Sequence, residues 1–529
     1  MEFVQKLLRS KRFRRPSPHD YELLLGTNTP SQSAIGPVGV RGRTEGREIA
    51  GWSLRWRGIF VLSLPWLIVV LLLFFPRHSP PIISETSSSP SLPPARPSPS
   101  PAEPESDDCP APPSPPPPRQ PPLYELYHAH ERLLPQHDLA APSPDGKSAK
   151  YLWFANHGSG FGWGNYMQEM VLNAYLAYAA NRAYVFDNYT WHREGPEITT
   201  WNGHLIPSRI PLSALIFGPM IGSPMPASSK NIPLSISREW YLQVCPESER
   251  VVIDTRKIQD TFTQPPTAMQ IVDRWVAELH QIDARCVELR RDSPGLFTYE
   301  LTNTERVLDV FPSMSASPIL ANFGWSSLVL GELLANLAHF MPAAFQFSGP
   351  GVMLDTQAPI PGLLALHVSR GDYETWCPEA VGNGHVFTGF NRFPELPDKT
   401  PSPKDENGVR HCLPSVQDIV DKVRSIVDAR RVSELSPLTR VYVMTNAHAD
   451  WLASLVEALL TIGIWKDGVG TSRELSLSWD GRHVAQAVDM SVGQRAEVFV
   501  GNGFSSLTSN IVLLRMHNRK LDPQNTRFW

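Results

Sequence analysis

The chain has 529 residues, a formal net charge of −4 and 52 prolines. That length exceeds what one hydrophobic core usually organises, so two core-forming units plus non-globular sequence are expected. Near-neutral charge excludes the electrostatic profile of a nucleic-acid binder, and five cysteines are too few for a disulfide-built scaffold.

In chain order, residues 1–57 read as a disordered cytosolic tail carrying eleven Lys or Arg. Residues 58–76 follow without a charge and would span roughly 28 Å as a helix at about 1.5 Å per residue, close to a bilayer's apolar thickness. Trp52, Trp56 and Trp66 suit the interface, and only Arg77 follows closely. The excess of basic residues on the first side predicts a single-pass type II signal anchor, with everything after residue 77 luminal. Residues 77–122 form a stem, in which 80–122 hold 18 of the 52 prolines interleaved with serine. Such sequence populates extended polyproline II and cannot build a core. Tail, anchor and stem in this order suit a type II protein of the Golgi or ER membrane, a layout that other type II ectoproteins share.

Globular composition begins near residue 123. Residues 151–155 (YLWFA) predict a buried strand, 156–164 (NHGSGFGWG) a glycine-rich turn, 165–180 a helix and 183–187 a second strand. A strand at 251–254 and long helices near 269–289 and 325–345 complete a first α/β domain, 123–358. A second, 359–529, opens with the apolar strand 362–368. Helix 416–426, strand 441–444, helices 449–460 and 484–493, strand 498–500 and helix 505–516 follow. Repeated strand–helix alternation predicts a parallel, doubly wound sheet in each domain, and two such Rossmann-like domains facing a cleft make a GT-B architecture.

Three segments carry chemistry. The first runs from His367 through Ser369, Arg370, Gly371 and Asp372 to Cys377, at a predicted strand's carboxyl end. Ligands of open α/β sheets bind there, and an Arg fork suits a diphosphate. The second ends strand 498–500 with Gly501-Asn502-Gly503-Phe504-Ser505-Ser506 and reaches Arg515. Free N–H groups and hydroxyls at a helix start suit an anion. The third is the loop ending Gly162-Trp163-Gly164-Asn165, whose glycines admit close approach.

Together the segments resemble the GDP-fucose-dependent O-fucosyltransferase family. Its members carry a G-x-x-N loop, an "NR" before the next strand (Asn181-Arg182 here), an H-x-R-R-G-D-like motif and a late G-[TN]-x-x-S-S segment. The resemblance covers roughly 151–515. It implies fucose transfer from GDP-fucose to a protein or glycan hydroxyl, with inversion and without metal or other cofactor. It places His367 and Arg370 against GDP, with Arg370 and Asn165 as the catalytic residues. Ser505 and Ser506 would hold its phosphates beside Phe504. Gly164, Asp372, Gly501 and Arg515 join the substrate-binding set, and Asp489 or Glu497 would read the guanine edge. No Asp-x-Asp triplet occurs. Two departures stand out. Ser369 occupies the place of the first family Arg, and 156–165 contain no carboxylate to act as base. Either the acceptor proton passes late to the phosphate, or Glu169 or Asp187 contributes.

Cys377, His385, His411 and Cys412 lack the spacing of a zinc site, and a disulfide Cys377–Cys412 closing 378–411 is expected instead. Cys245–Cys286 is a second candidate pair, and Cys109 is left to link two chains into a homodimer. Asn188-Tyr189-Thr190 is the luminal glycosylation sequon. Two other readings stay open: a GT-B-fold luminal binding protein without activity, and a transferase using another nucleotide sugar.

Overall fold

Strand β1, Tyr151–Phe154, is buried along its whole length, as an interior strand of a parallel sheet must be. The computed structural model that contains it describes residues 124–201, 204–346, 357–398 and 408–529. The expected tail, anchor and stem, and Cys109, lie outside those residues. Among the described residues, no helix is long and apolar enough to cross a membrane.

After β1 come helix α1 (Trp163–Ala179), β2 (Ala183–Phe186), β3 (Ile236–Ser237), β4 (Arg250–Ile253), helix α2 (Ala268–His280) and β5 (Cys286–Leu289). They build a five-stranded, all-parallel sheet ordered β3-β2-β1-β5-β4. The second half contributes β6 (Ile360–Val368), α3 (Tyr373–Gly382), α4 (Val416–Val432), β7 (Arg440–Thr445), α5 (Ala449–Leu460) and β8 (Gly468–Thr471). It ends with α6 (Ala485–Arg495), β9 (Ala496–Gly501), α7 (Ser506–His517) and β10 (Thr526–Phe528). This sheet is also all-parallel, ordered β8-β7-β6-β9-β10. In each sheet the order reverses beside the first strand, between β1 and β5 and between β6 and β9. A crevice opens at such a reversal beyond the strands' carboxyl ends.

Period-two alternation decides which face each side chain joins. Leu152 and Phe154 of β1, Leu363 and Ala365 of β6, and Tyr442 and Met444 of β7 all enter one apolar cluster. Buried positions of α1, α2, α6 and α7 fill the same cluster, so a layer of helices is shared between the two sheets. The intervening residues face outward layers: Tyr151 and Trp153 pack with Tyr241 and Cys245, and Leu364, Leu366 and Val368 pack under α4 and α5.

Two expected helices break. The stretch 269–289 becomes α2 and then β5. A capping box at Thr267 and Gln270 starts α2. At its other end buried Arg182 donates to the carbonyls of Leu279, Ile282 and Ala284 at 3.2, 2.5 and 3.0 Å, holding the chain as it turns into β5. The stretch 325–345 divides into Ser327–Ala335, Leu337–Phe340 and Ala343–Gln346. Asn336 donates back to Glu332 and accepts from Ser476 N–H, both at 2.8 Å, and Pro342 bars Met341 from helical backbone. Strands β3, β8 and β10, four residues or shorter, carry too little pattern to announce themselves.

Both pairs considered from sequence are disulfides in the structure, Cys245–Cys286 at the foot of β5 and Cys377–Cys412 between α3 and Gly408–Cys412.

Candidate functional site

At the reversal of the first sheet, the loop after β1 and the loop after β5 enclose a cavity of about 380 Å³. Asn156, Gly158, Asn165 and Glu169 line one wall, and Gly295, Thr298, Tyr299 and Thr302 the other. Asn156 Nδ2 donates to Pro294 O at 2.7 Å and ties the two loops. The Gly158 amide donates to both oxygens of Glu169, at 3.2 and 3.0 Å, and so folds the glycine-rich loop onto the first turns of α1. Glu169 is 9% exposed, and burial raises its carboxyl above the ordinary range.

Asp187 is placed differently. Its carboxylate lies 3.4 Å from His157 Nε2 and 3.6 Å from Arg238 Nε. Burial pushes this group up, but the hydrogen bond and charge of His157, the charge of Arg238 and the Asn188 amide outweigh it and hold Asp187 below its usual value. Asn188 is half-buried, and its carbonyl accepts from Tyr166 Oη and Thr190 Oγ1.

The second reversal presents the ends of β6 and β9. His367 is buried, its Nδ1 2.7 Å from Thr508 Oγ1 and its carbonyl accepting from Trp529 Nε1 at 2.9 Å. Burial pushes its pKa down to about 4, so the ring is neutral near pH 7. Beyond it, Ser369 and Arg370 diverge. Ser369 lies near the Tyr373 hydroxyl, as does Ser505; burial pushes that phenol up to about 12, and the two serines oppose the rise. Arg370 turns to the opposite face, its guanidinium carbon 4.0 Å from the centre of the Trp451 ring and Nη2 donating to Pro414 O. Alternation along β6 is the cause: 363, 365, 367 and 369 face the shared helix layer, while 364, 366, 368 and 370 face α4 and α5. The following turn needs Gly371 at φ +60°, and Asn446 braces it by accepting from Arg370 N–H at 2.7 Å. Asp372 is exposed on that turn, 3.4 Å from Asn446 Nδ2.

Gly501 has no room for a side chain, since a Cβ would sit 2.5 Å from Thr508. After it, Asn502 Nδ2 donates to Cys412 O, and Asn391 Nδ2 donates to the carbonyls of Gly503 and Ser505. Phe504 packs against Phe387, ring centroids 5.4 Å apart. Ser505 caps α7 by accepting from Leu507 N–H at 3.2 Å, and Ser506 stays half-exposed.

The starts of α1 and α7 meet. A Cβ on Gly164 would lie 2.6 Å from Ser506 Oγ and 2.7 Å from Leu507 N, and Asn510 Nδ2 donates to Gly164 O at 2.7 Å. Gly164, Asn165, Ser505 and Ser506 therefore come together, with Ser369 and Tyr373 adjoining through Ser505. His367 lies one layer deeper.

Besides Arg370 on the far face and Asp372 on its turn, three more candidates lie outside this group. Arg515 is buried within the second half, donating to Thr526 Oγ1 and to the carbonyls of Gly493, Ala496, Glu497 and Asn525. Burial pushes its pKa down to about 9. Glu497 stands at the opposite, amino end of β9, ion-paired with Arg430 and accepting from Gly362 N–H at 2.6 Å. Asp489 sits in α6, where Tyr442 Oη donates to it at 2.8 Å. Burial pushes its carboxyl up to about 7 against that hydrogen bond.

Tyr299, Thr298 and Thr302 escaped sequence reasoning because β5 was absorbed into a helix, hiding the loop that follows it. The break Ser293-Pro294-Gly295 was the available signal.

No family model and no curated protein sequence matches the chain. It is similar in structure to fucosyltransferases solved with GDP-fucose or GDP. One is POFUT1 in complex with GDP-fucose, at 12% identity over 72% of this chain and 97% of that one, TM-score 0.43. A second is the α-1,6-fucosyltransferase NodZ soaked with GDP-fucose, at 13% identity, 69% and 92% coverage and TM-score 0.31. A third is a FUT1 mutant of Arabidopsis thaliana in complex with GDP, at 12% identity, 74% and 76% coverage and TM-score 0.30.

Proposed function

We propose that the chain is a fucosyltransferase of GT-B type that uses GDP-fucose as donor and a protein or glycan hydroxyl as acceptor. One observation supports this above the rest: the serine-led start of α7 and the glycine-rich start of α1 abut at Gly164 and Ser506. The crevices expected at the two sheet reversals would then open beside one another. The donor diphosphate would lie on the second-sheet side, at Ser505, Ser506 and the start of α7, with Phe504 and Asp372 at its margins. Asp489, rather than the ion-paired Glu497, would meet the guanine edge. The acceptor would enter the cavity beside Asn165. Transfer with inversion and without metal, a type II anchor and a Golgi or ER luminal site complete the proposal.

Arg370, lying over Trp451, gives the second reading its observation. Without a guanidinium facing Ser505, the same scaffold suits a nucleotide- or glycan-binding protein that does not turn over. Titration of the full chain with GDP and with UDP tests the donor. The transferase reading expects GDP to bind at least roughly tenfold more tightly, a difference of about 1.4 kcal/mol. Equal affinity for UDP defeats the guanine assignment, and tight GDP binding without release of GDP from GDP-fucose favours the binding protein.

A further inference from the structure

The cavity at the first sheet's reversal contains a carboxylate where the glycine-rich loop has none. Glu169 belongs to the second turn of α1, yet the Gly158 amide holds both of its oxygens and so draws it up to the loop. It is nine-tenths buried and lines the same wall as Asn165, which follows Gly164 at the meeting of the two helix starts. Asp187, the other nearby carboxylate, is committed to His157 and Arg238 and does not line the cavity.

We propose that Glu169 is the general base of the transfer, taking the proton of an acceptor hydroxyl held in this cavity. The assignment rests on the transferase reading above. As the acceptor oxygen bonds to the anomeric carbon of the donor sugar, its O–H proton passes to a Glu169 oxygen. The bond from that carbon to the diphosphate oxygen breaks, and its electron pair leaves with GDP. The carboxylic acid then returns the proton to solvent. A buried carboxylate is a stronger base than an exposed one, which favours this role. Burial acts most on its charge, opposed by His157 in the loop after β1, the Gly158 amide and Arg193 in the loop beyond β2, while the Tyr184 phenol on β2 feels that charge in turn. Asn173 acts on it from its own helix, where the Tyr166 phenol feels its charge, and Tyr299 lines the opposite wall of the cavity.

Water can serve as acceptor, so release of GDP from GDP-fucose by the full chain provides the assay. Glu169→Gln is expected to lower kcat at least roughly 100-fold, the scale of general-base catalysis, while GDP affinity stays within about threefold. The wild-type rate is expected to fall with decreasing pH through a pKa above the ordinary carboxylate range, and the residual rate of the variant to lack that limb. Glu169→Ala, which leaves space at the site, is expected to regain activity with added formate. Melting temperatures of both variants separate lost folding from lost chemistry. A folded Glu169→Gln protein with more than a tenth of wild-type kcat, or a folded Glu169→Ala protein that formate does not revive, overturns the assignment. Wild-type protein that neither binds GDP nor releases it overturns the transferase reading itself.

Discussion

Ser369 and Arg370 are neighbours in sequence and reach opposite faces of one sheet. Both the substitution at 369 and the alternation are visible in the sequence, so the divergence could be anticipated there. The destination of each side chain could not, because Trp451 and Pro414 approach Arg370 from distant parts of the chain. Arg515 was similarly ambiguous: an Arg after a serine-led helix start suits a phosphate, and only the packed fold shows its donors taken by carbonyls of the second half. Burial also acts where no ligand is involved. Glu131, in the helix Glu125–Arg132, accepts from Ser213 N–H at 2.9 Å, and burial pushes its carboxyl from 4.5 up to about 7. A carboxyl with a raised folded pKa contributes stability that is complete below its unfolded value and lost as pH climbs through about 7. Glu131→Gln removes that loss. The variant should match wild type near pH 4 and be more stable at pH 8, by up to ~3 kcal/mol, as read from paired thermal melts.

Among elements, α1 and α7 illustrate what periodicity conveys. Their existence and extent follow from apolar spacing and from glycine and serine at their starts, and the structure shifts them by only one or two residues. Their meeting was beyond the sequence, since two helix starts more than 300 residues apart carry no mark of mutual contact. Gly164 is the residue at which that meeting can be tested. Gly164→Ala would drive a methyl group against the backbone nitrogen of Leu507, which cannot yield as a flexible side chain would. Overpacking of this kind costs about 1–3 kcal/mol. We expect a lower melting temperature, together with weaker GDP binding, because the displaced start of α7 carries Ser505 and Ser506. An unchanged melt would show that the helix ends are not held as closely as described. The broken helix at 269–289 teaches the complementary lesson. Cys286-Val287-Glu288-Leu289 continues a helical rhythm on paper, whereas hydrogen bonding to β1 and β4 on either side makes it an interior strand.

For the molecule as a whole, parallel α/β halves were legible from repeated strand–helix alternation. The manner of their joining was not. Doubly wound sheets usually bring separate cores, but here one apolar cluster runs from Leu152 and Phe154 through α1 and α7 to Ala365 and Met444. Neither sheet can lose its inner helices without exposing the other's. Calorimetry should therefore record the folded part melting as one cooperative transition, with calorimetric and van't Hoff enthalpies in agreement. Two resolved transitions would contradict the shared layer. The Gly164 contact, reinforced by Asn510, also bears on how ligands arrive. Halves wedged together at these helix starts would gape less freely, so recognition would draw on groups already in position more than on jaws that shut on the guest.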